Sequence, residues 1–258
     1  MLNLDSMKFY LTPDSFIDTS KPLDLSLPLT NSKENPSAWY VEEPVFEPVR
    51  TEHYIGSVKE GGSVNFRNIF FNPHGHGTHT ECLGHITEEV YSINQTLKEY
   101  FFKAKVVSII PAQVLNKDGA MDNIIEPKHL DFLENIVNLD ALIIRTLPNL
   151  DSKKSKNYSN SNPAYMDVTC AEQIIKSGID HLLIDTPSVD RESDEGQLAF
   201  HHAFWEVPNN PNFSRTISEL IFVNDSIEDG DYILNFQVAP FENDASPSRP
   251  VLYQIEKA

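Results

Sequence analysis

The chain has 258 residues, 40% apolar and 22% charged, which is enough for one large domain with a sizeable core and too short for more than two. A net charge of -18 argues against nucleic acid or an anionic membrane as partner, because phosphates would be repelled. The only two cysteines, Cys82 and Cys170, cannot build a disulfide framework and suit a reducing compartment.

Residues 1–7 lack a basic stretch followed by an apolar core, and no apolar run reaches membrane-spanning length, so a cytoplasmic protein is expected. Phe9-Tyr10-Leu11 is a short apolar run ended by Thr12-Pro13-Asp14. Residues 17–18 and 23–28 read as strand pieces, and 31–48 as a loop broken at Asn35-Pro36 and Glu43-Pro44. Residues 1 to about 50 thus form an irregular segment at the front of a single domain spanning 1–258. Trp39 and Tyr40 on that loop either pack back on the body or line a ligand pocket. Residues 52–71 predict a hairpin of His53-Tyr54-Ile55, a turn at Gly61-Gly62 and a strand over 64–71.

Residues 72–85 read NPHGHGTHTECLGH and hold four of the nine histidines and one carboxylate. Imidazole and carboxylate are ligands for zinc, manganese or iron, and they move protons near neutral pH. Gly75 and Gly77 allow the backbone a tight path between His74, His76 and His79. One or two histidines on a surface turn need no purpose. Four of them around Glu81, where a strand gives way to a loop, mark a candidate site.

Beyond the cluster, residues 92–101 predict a short helix, 104–111 a strand, 126–138 a helix and 141–145 a buried strand. The polar, lysine-bearing stretch 149–163 is either a lid or a plain flexible loop. A helix over 169–177 closed by Gly178 and a strand over 181–185 complete a βαβ-like unit, so the fold is mixed α/β. Asp185 and Asp190 bracket a turn and are either catalytic or capping. His201 and His202 fall on a helix predicted over 197–205, about 100° apart, so one of them faces a given site. Glu219 sits among apolar residues and calls for a metal or a donor, since an unpaired buried charge is costly. A last long strand is predicted over 232–239.

GTHTECLGH (77–85), IDTPSVD (184–190), His201-His202, Glu219 and SPSRPV (246–251) come in the order that resembles the metal-dependent cyclase family, which includes bacterial kynurenine formamidase and isatin hydrolase. The resemblance implies a compact swivelling β/α domain, a homodimer or higher oligomer, and hydrolysis of a small-molecule amide or related C–N bond with a divalent metal, zinc or manganese. It implies His79, Glu81, one of His201 and His202, and Glu219 as metal ligands, and His85 as the proton-transferring histidine. Three positions depart from the family motif H-x-G-T-H-x-D-x-P-x-H. Its first histidine is Gly75 here, flanked by His74 and His76 as substitutes. Its Asp is Glu81, and its Pro is Leu83.

On this reading the metal activates water and polarises a carbonyl, with Glu81 beside it, and His85 takes the proton and returns it to the leaving nitrogen. Trp39, Tyr165 and the 149–163 loop frame a small substrate. Cys82 reads as packing. The alternative is a non-catalytic or metal-free relative that binds a small molecule, a reading favoured by Gly75.

Overall fold

Most of the apolar runs become strands of one sheet. In the computed structural model, which describes residues 7–117 and 119–258, the chain begins β1 (Lys8–Thr12), β2 (Ser15–Asp18), β3 (Leu23–Asp24), β4 (Val45–Pro48), β5 (Arg50–Thr51), β6 (Tyr54–Ile55), β7 (Arg67–Phe70) and β8 (His79–Glu81). It continues α1 (Ile93–Thr96), β9 (Phe101–Ile109), β10 (Ala112–Leu115), β11 (Met121–Ile125), β12 (Ala141–Thr146), β13 (Tyr165–Met166), α2 (Thr169–Lys176) and β14 (His181–Ile184). It ends α3 (Ala199–Phe204), β15 (Thr216–Glu219), β16 (Gly230–Asn235), β17 (Ala245–Pro247) and β18 (Val251–Lys257). Residues 1–6, most of the stretch read as lacking a leader, lie outside the described residues.

Eleven strands join in the order β1-β2-β18-β16-β9-β12-β14-β15-β8-β17, with β3 added against β18. The central four, β9, β12, β14 and β15, are parallel. Every residue of β12 and β14 is buried, as expected for parallel strands covered on both faces. On one face Leu142, Ile144, Leu182 and Ile184 pack with Phe200, Phe204 and Trp205 of the α3 region and Cys170, Ala171 and Ile174 of α2. On the other, Val106, Ile143 and Leu183 pack with Ile93, Ile221 and Leu234. The β12-α2-β14 crossover is the βαβ unit expected over 141–185, and Gly178 adopts φ 74° at its helix end.

Several elements depart from their expected extents, each for a local reason. The strand expected over 64–71 pairs with β4 and not with residues 53–55, which fold back on β5 in a tight turn. The helix expected over 92–101 stops at Thr96, because Phe101 is drawn into β9 between two sheet partners. Residues Pro127–Asn135 form a 3-10 helix in place of the α-helix expected over 126–138, with His129 Nδ1 accepting the Glu126 N–H at its start. The strand expected as the last long one, over 232–239, spans Gly230–Asn235, and the longer β18 follows it, paired with β16.

The 149–163 loop is tied to the body. Lys153 Nζ donates to Asp185 Oδ2 at 2.8 Å and to the Thr146 carbonyl, Tyr158 is buried, and Asn157 bridges to Ser37. Both cysteines are buried and unpaired by disulfides, and Cys82 donates its thiol hydrogen to the Tyr91 carbonyl, in keeping with a packing role. Among the described residues no helix is long and apolar enough to cross a membrane.

Candidate metal centre

Strand periodicity and sheet register assemble the centre. His79 and Glu81 are two apart on β8, so their side chains leave the same face of the sheet. β8 lies antiparallel to β15 with His79 opposite Glu219, and the His79 Nε2 to Glu219 Oε2 distance is 3.5 Å. The buried Glu219 anticipated from its apolar neighbours thus lies beside His79, and its Oε1 accepts the Val189 N–H. On the other side β8 pairs with β17, which brings Asp244, the residue just before it, to the edge of the cluster.

Four imidazoles share one arrangement, with one nitrogen tied to an outer acceptor and the other directed inward. His79 Nδ1 donates to the Gly77 carbonyl at 2.9 Å. His201 Nδ1 donates to Asp190 Oδ2 at 2.6 Å, and its Nε2 lies 3.0 Å from Glu81 Oε1. His74 Nε2 donates to Asp244 Oδ2 at 2.9 Å, and its Nδ1 lies 3.0 Å from Glu81 Oε2. His85 Nδ1 reaches the same Asp244 oxygen at 3.3 Å, with Nε2 3.9 Å from Glu81 Oε2. The rings of His74 and His85 stack with centroids 4.3 Å apart. Carboxylates behind three of the rings and the Gly77 carbonyl behind His79 fix the tautomers and leave the inward nitrogens to face Glu81 and Glu219.

These residues fit a divalent cation. Two donor sets, His79-Glu81-Glu219 and His74-Glu81-His85, each bring one ligand atom per residue within 4.8 Å of the others. His79 Nε2 and Glu81 Oε2 are buried with no hydrogen-bond partner, a costly state that a cation between them relieves. The mixed nitrogen and oxygen donors suit zinc or manganese.

Gly75, at the position of the family's first histidine, packs so closely that an added Cβ would lie 2.8 Å from Val41 Cγ2. The neighbouring His74 takes the place in the cluster. His76 points elsewhere. It is buried with Nδ1 accepting the Asn72 N–H and Nε2 donating to the Glu42 carbonyl, so it braces the loop. His201 faces the centre through Nε2, beside Glu81, whereas His202 sits half-buried on the next face of α3. Gly84 lets the His85 turn approach the Tyr91 backbone, which a Cβ would overlap.

A cavity of about 290 Å³ opens beside the cluster, lined by Trp39, His74, His85, Arg191, Leu198 and Glu219, among others. Trp39 forms one wall from a left-handed backbone conformation, φ 59°. Tyr165 does not line the cavity. Its hydroxyl donates to Asp122 Oδ2 at 2.9 Å, which places it one residue behind Arg191. Asp190, left open between a turn cap and a chemical role, caps the N–H groups of Phe200 and His201 and also orients the His201 ring. Asp244 and Arg191 carry no signal in the sequence. Asp244 is recruited by strand pairing, and Arg191 is one charge among several on a polar turn.

Without a cation the carboxylates charge the rings. Burial opposes a charge on His74, but its hydrogen bond to Asp244 and the adjacent Glu81 carboxylate outweigh it and raise its pKa to about 10. Burial opposes His201 likewise, and Asp190 and Glu81 raise it to about 10. Burial pushes Glu81 up, but the neighbouring His85 charge, the His201 hydrogen bond and the adjacent His74 ring hold it well below the ordinary carboxylate value. Asp244 is held down in the same way by His74 and His85. Raised histidines stabilise fully below their unfolded value of 6.5 and lose that contribution as pH climbs toward 10, while the depressed carboxylates lose theirs in acid. Chelator-treated protein is therefore expected to lose thermal stability steadily from pH 6.5 to 9.5. Added zinc should raise its Tm more at pH 8.5 than at pH 5.5, because protons compete for the same nitrogens. A flat Tm across that range would show that the cluster does not hold these protons.

The chain is similar to several known proteins. The model of the Cyclase family matches residues 23–191. Kynurenine formamidase of Bacillus anthracis is 26% identical over 239 residues, covering 92% of this chain and 99% of that protein. Isatin hydrolase A from Labrenzia aggregata superposes with a TM-score of 0.64 at 14% identity, over 90% of this chain and 93% of that one. A protein described as a predicted metal-dependent hydrolase from Bacillus stearothermophilus superposes with a TM-score of 0.62 at 16% identity, over 90% and 98%. The structural likenesses show a shared mixed α/β fold. With its model matching well over half of the residues, the chain belongs to the Cyclase family.

Proposed function

We propose that the protein hydrolyses an amide or related C–N bond of a small molecule, using zinc or manganese held by His74, His79, Glu81, His201 and Glu219. The observation that carries this reading is the pair of buried, unpartnered donors, His79 Nε2 and Glu81 Oε2, at the meeting point of the inward-facing imidazoles. The names of the relatives, a formamidase and a hydrolase, agree with it.

A divalent cation bound there supplies a Lewis acid for the carbonyl and lowers the pKa of water. The remaining work falls to side chains. Asp244 takes the N–H of His85 Nδ1, so the Nε2 lone pair faces the cavity and can accept a proton and return it to the leaving nitrogen. Asp190 and the Gly77 carbonyl keep His201 and His79 turned inward. Trp39 and Leu198 give the substrate apolar walls.

Elemental analysis of protein purified without chelator or a histidine tag tests the reading. Near-stoichiometric zinc or manganese is expected, absent from His79→Ala, together with turnover in a screen of aryl amides and lactams. No bound metal after incubation with both ions would sink it.

A further inference from the structure

The charged residues on the turn after β14 are not held alike. Glu192 faces the protein, accepting the N–H groups of Asn160 and Asn162 and the Tyr40 hydroxyl. Asp194 accepts the N–H groups of Gly196 and Leu198. Arg191 is held loosely. One N–H reaches the Ser193 carbonyl at 3.1 Å, another reaches Asp122 Oδ1 at only 3.4 Å, and the buried Nε, 3.2 Å from Asp122 Oδ2, has no aligned partner.

Asp122 does not depend on Arg191. It accepts from Asn116 Nδ2, Asn162 Nδ2 and the Tyr165 hydroxyl, at 2.9, 2.8 and 2.9 Å. A guanidinium carries five N–H groups in a rigid fork that matches a carboxylate. One edge of that fork faces Asp122 and one N–H goes to Ser193, which leaves one N–H on each terminal nitrogen without a protein acceptor, and the side chain lines the same cavity as His74, His85 and Glu219. Among the described residues lining that cavity it is the sole arginine or lysine.

We propose that Arg191 binds a carboxylate on the substrate, so that the amide cleaved carries its own acid group. This rests on the amide-hydrolase reading above. A singly charged, planar carboxylate suits the fork better than a phosphate, whose second charge would oppose Glu192, Asp194 and Glu219 on the same walls. Asp122 then serves as the resting partner that keeps the guanidinium in place while the cavity is empty of substrate.

The test compares neutral formanilide with the three formamidobenzoate isomers, using metal-loaded protein. At least one isomer is expected to be hydrolysed with kcat/KM roughly 10-fold or more above formanilide, in line with the worth of a charged hydrogen bond. Arg191→Gln should remove that advantage through KM, formanilide turnover should fall far less, and Arg191→Lys should recover part of the preference. Calorimetry with the matching aminobenzoate separates the two readings. Binding weakened about 10-fold or more in Arg191→Gln supports the carboxylate site even where no amide is cleaved. Equal preference in wild type and Arg191→Gln, or aminobenzoate binding unaffected by the substitution, would overturn the proposal. Hydrolysis of formanilide alone would keep the amide-hydrolase reading and discard the carboxylate.

Discussion

Glu81→Gln is expected to release the cation and to lower amide hydrolysis roughly 10³-fold or more, the equivalent of about 4 kcal/mol of charge stabilisation. Glu81 is common to both donor sets, is fully buried, and has His74, His85 and His201 within 4 Å of its oxygens. Glutamine keeps the volume, so the sheet should hold. It removes the charge and presents an amide where an anion is needed. Elemental analysis and turnover, read on the same preparation, check this. A variant with full metal content and unaltered turnover would remove Glu81 from the centre.

His85→Ala separates chemistry from metal binding. His85 is tied to Asp244 through Nδ1, and it sits at the outer edge of the cluster, 3.9 Å from Glu81. Loss of a positioned general base typically costs about 10²–10⁴-fold in rate. The expectation is a fall of that size in kcat, with metal content at the wild-type level and KM little changed. If metal is lost instead, His85 is a ligand and the proton carrier must be sought elsewhere. Full activity would dismiss both roles.

The sequence made the parallel core legible because buried parallel strands read as unbroken apolar runs, as in residues 141–146 and 181–184. It also made the histidine cluster legible, because four of the rings sit in one short segment. What it could not convey was direction. His74 and His76 have the same composition around them, and only the packing of Gly75 against Val41 and Ala38 turns one ring inward and the other onto Glu42. Asp244 was invisible for a related reason. Its place depends on β17 pairing with β8 across 159 residues of chain from His85, and no local pattern records such a pairing. The segment 52–71 failed differently. A glycine pair looked like the hairpin turn, but the longer-range partner β4 competed successfully for β7.

The cross-strand pairing of His79 with Glu219, and of Ala245 with Glu81, has a practical meaning for anyone refolding or redesigning this protein. Side chains alternate along β8, so a slip of one residue would send His79 and Glu81 to the opposite face and bring Thr80 in their place. A molecule that takes up its ion with full affinity has therefore threaded β8 correctly between two neighbours distant in sequence. Ion titration counts correctly assembled molecules in a mixed preparation, an assay of topology that requires no knowledge of the substrate.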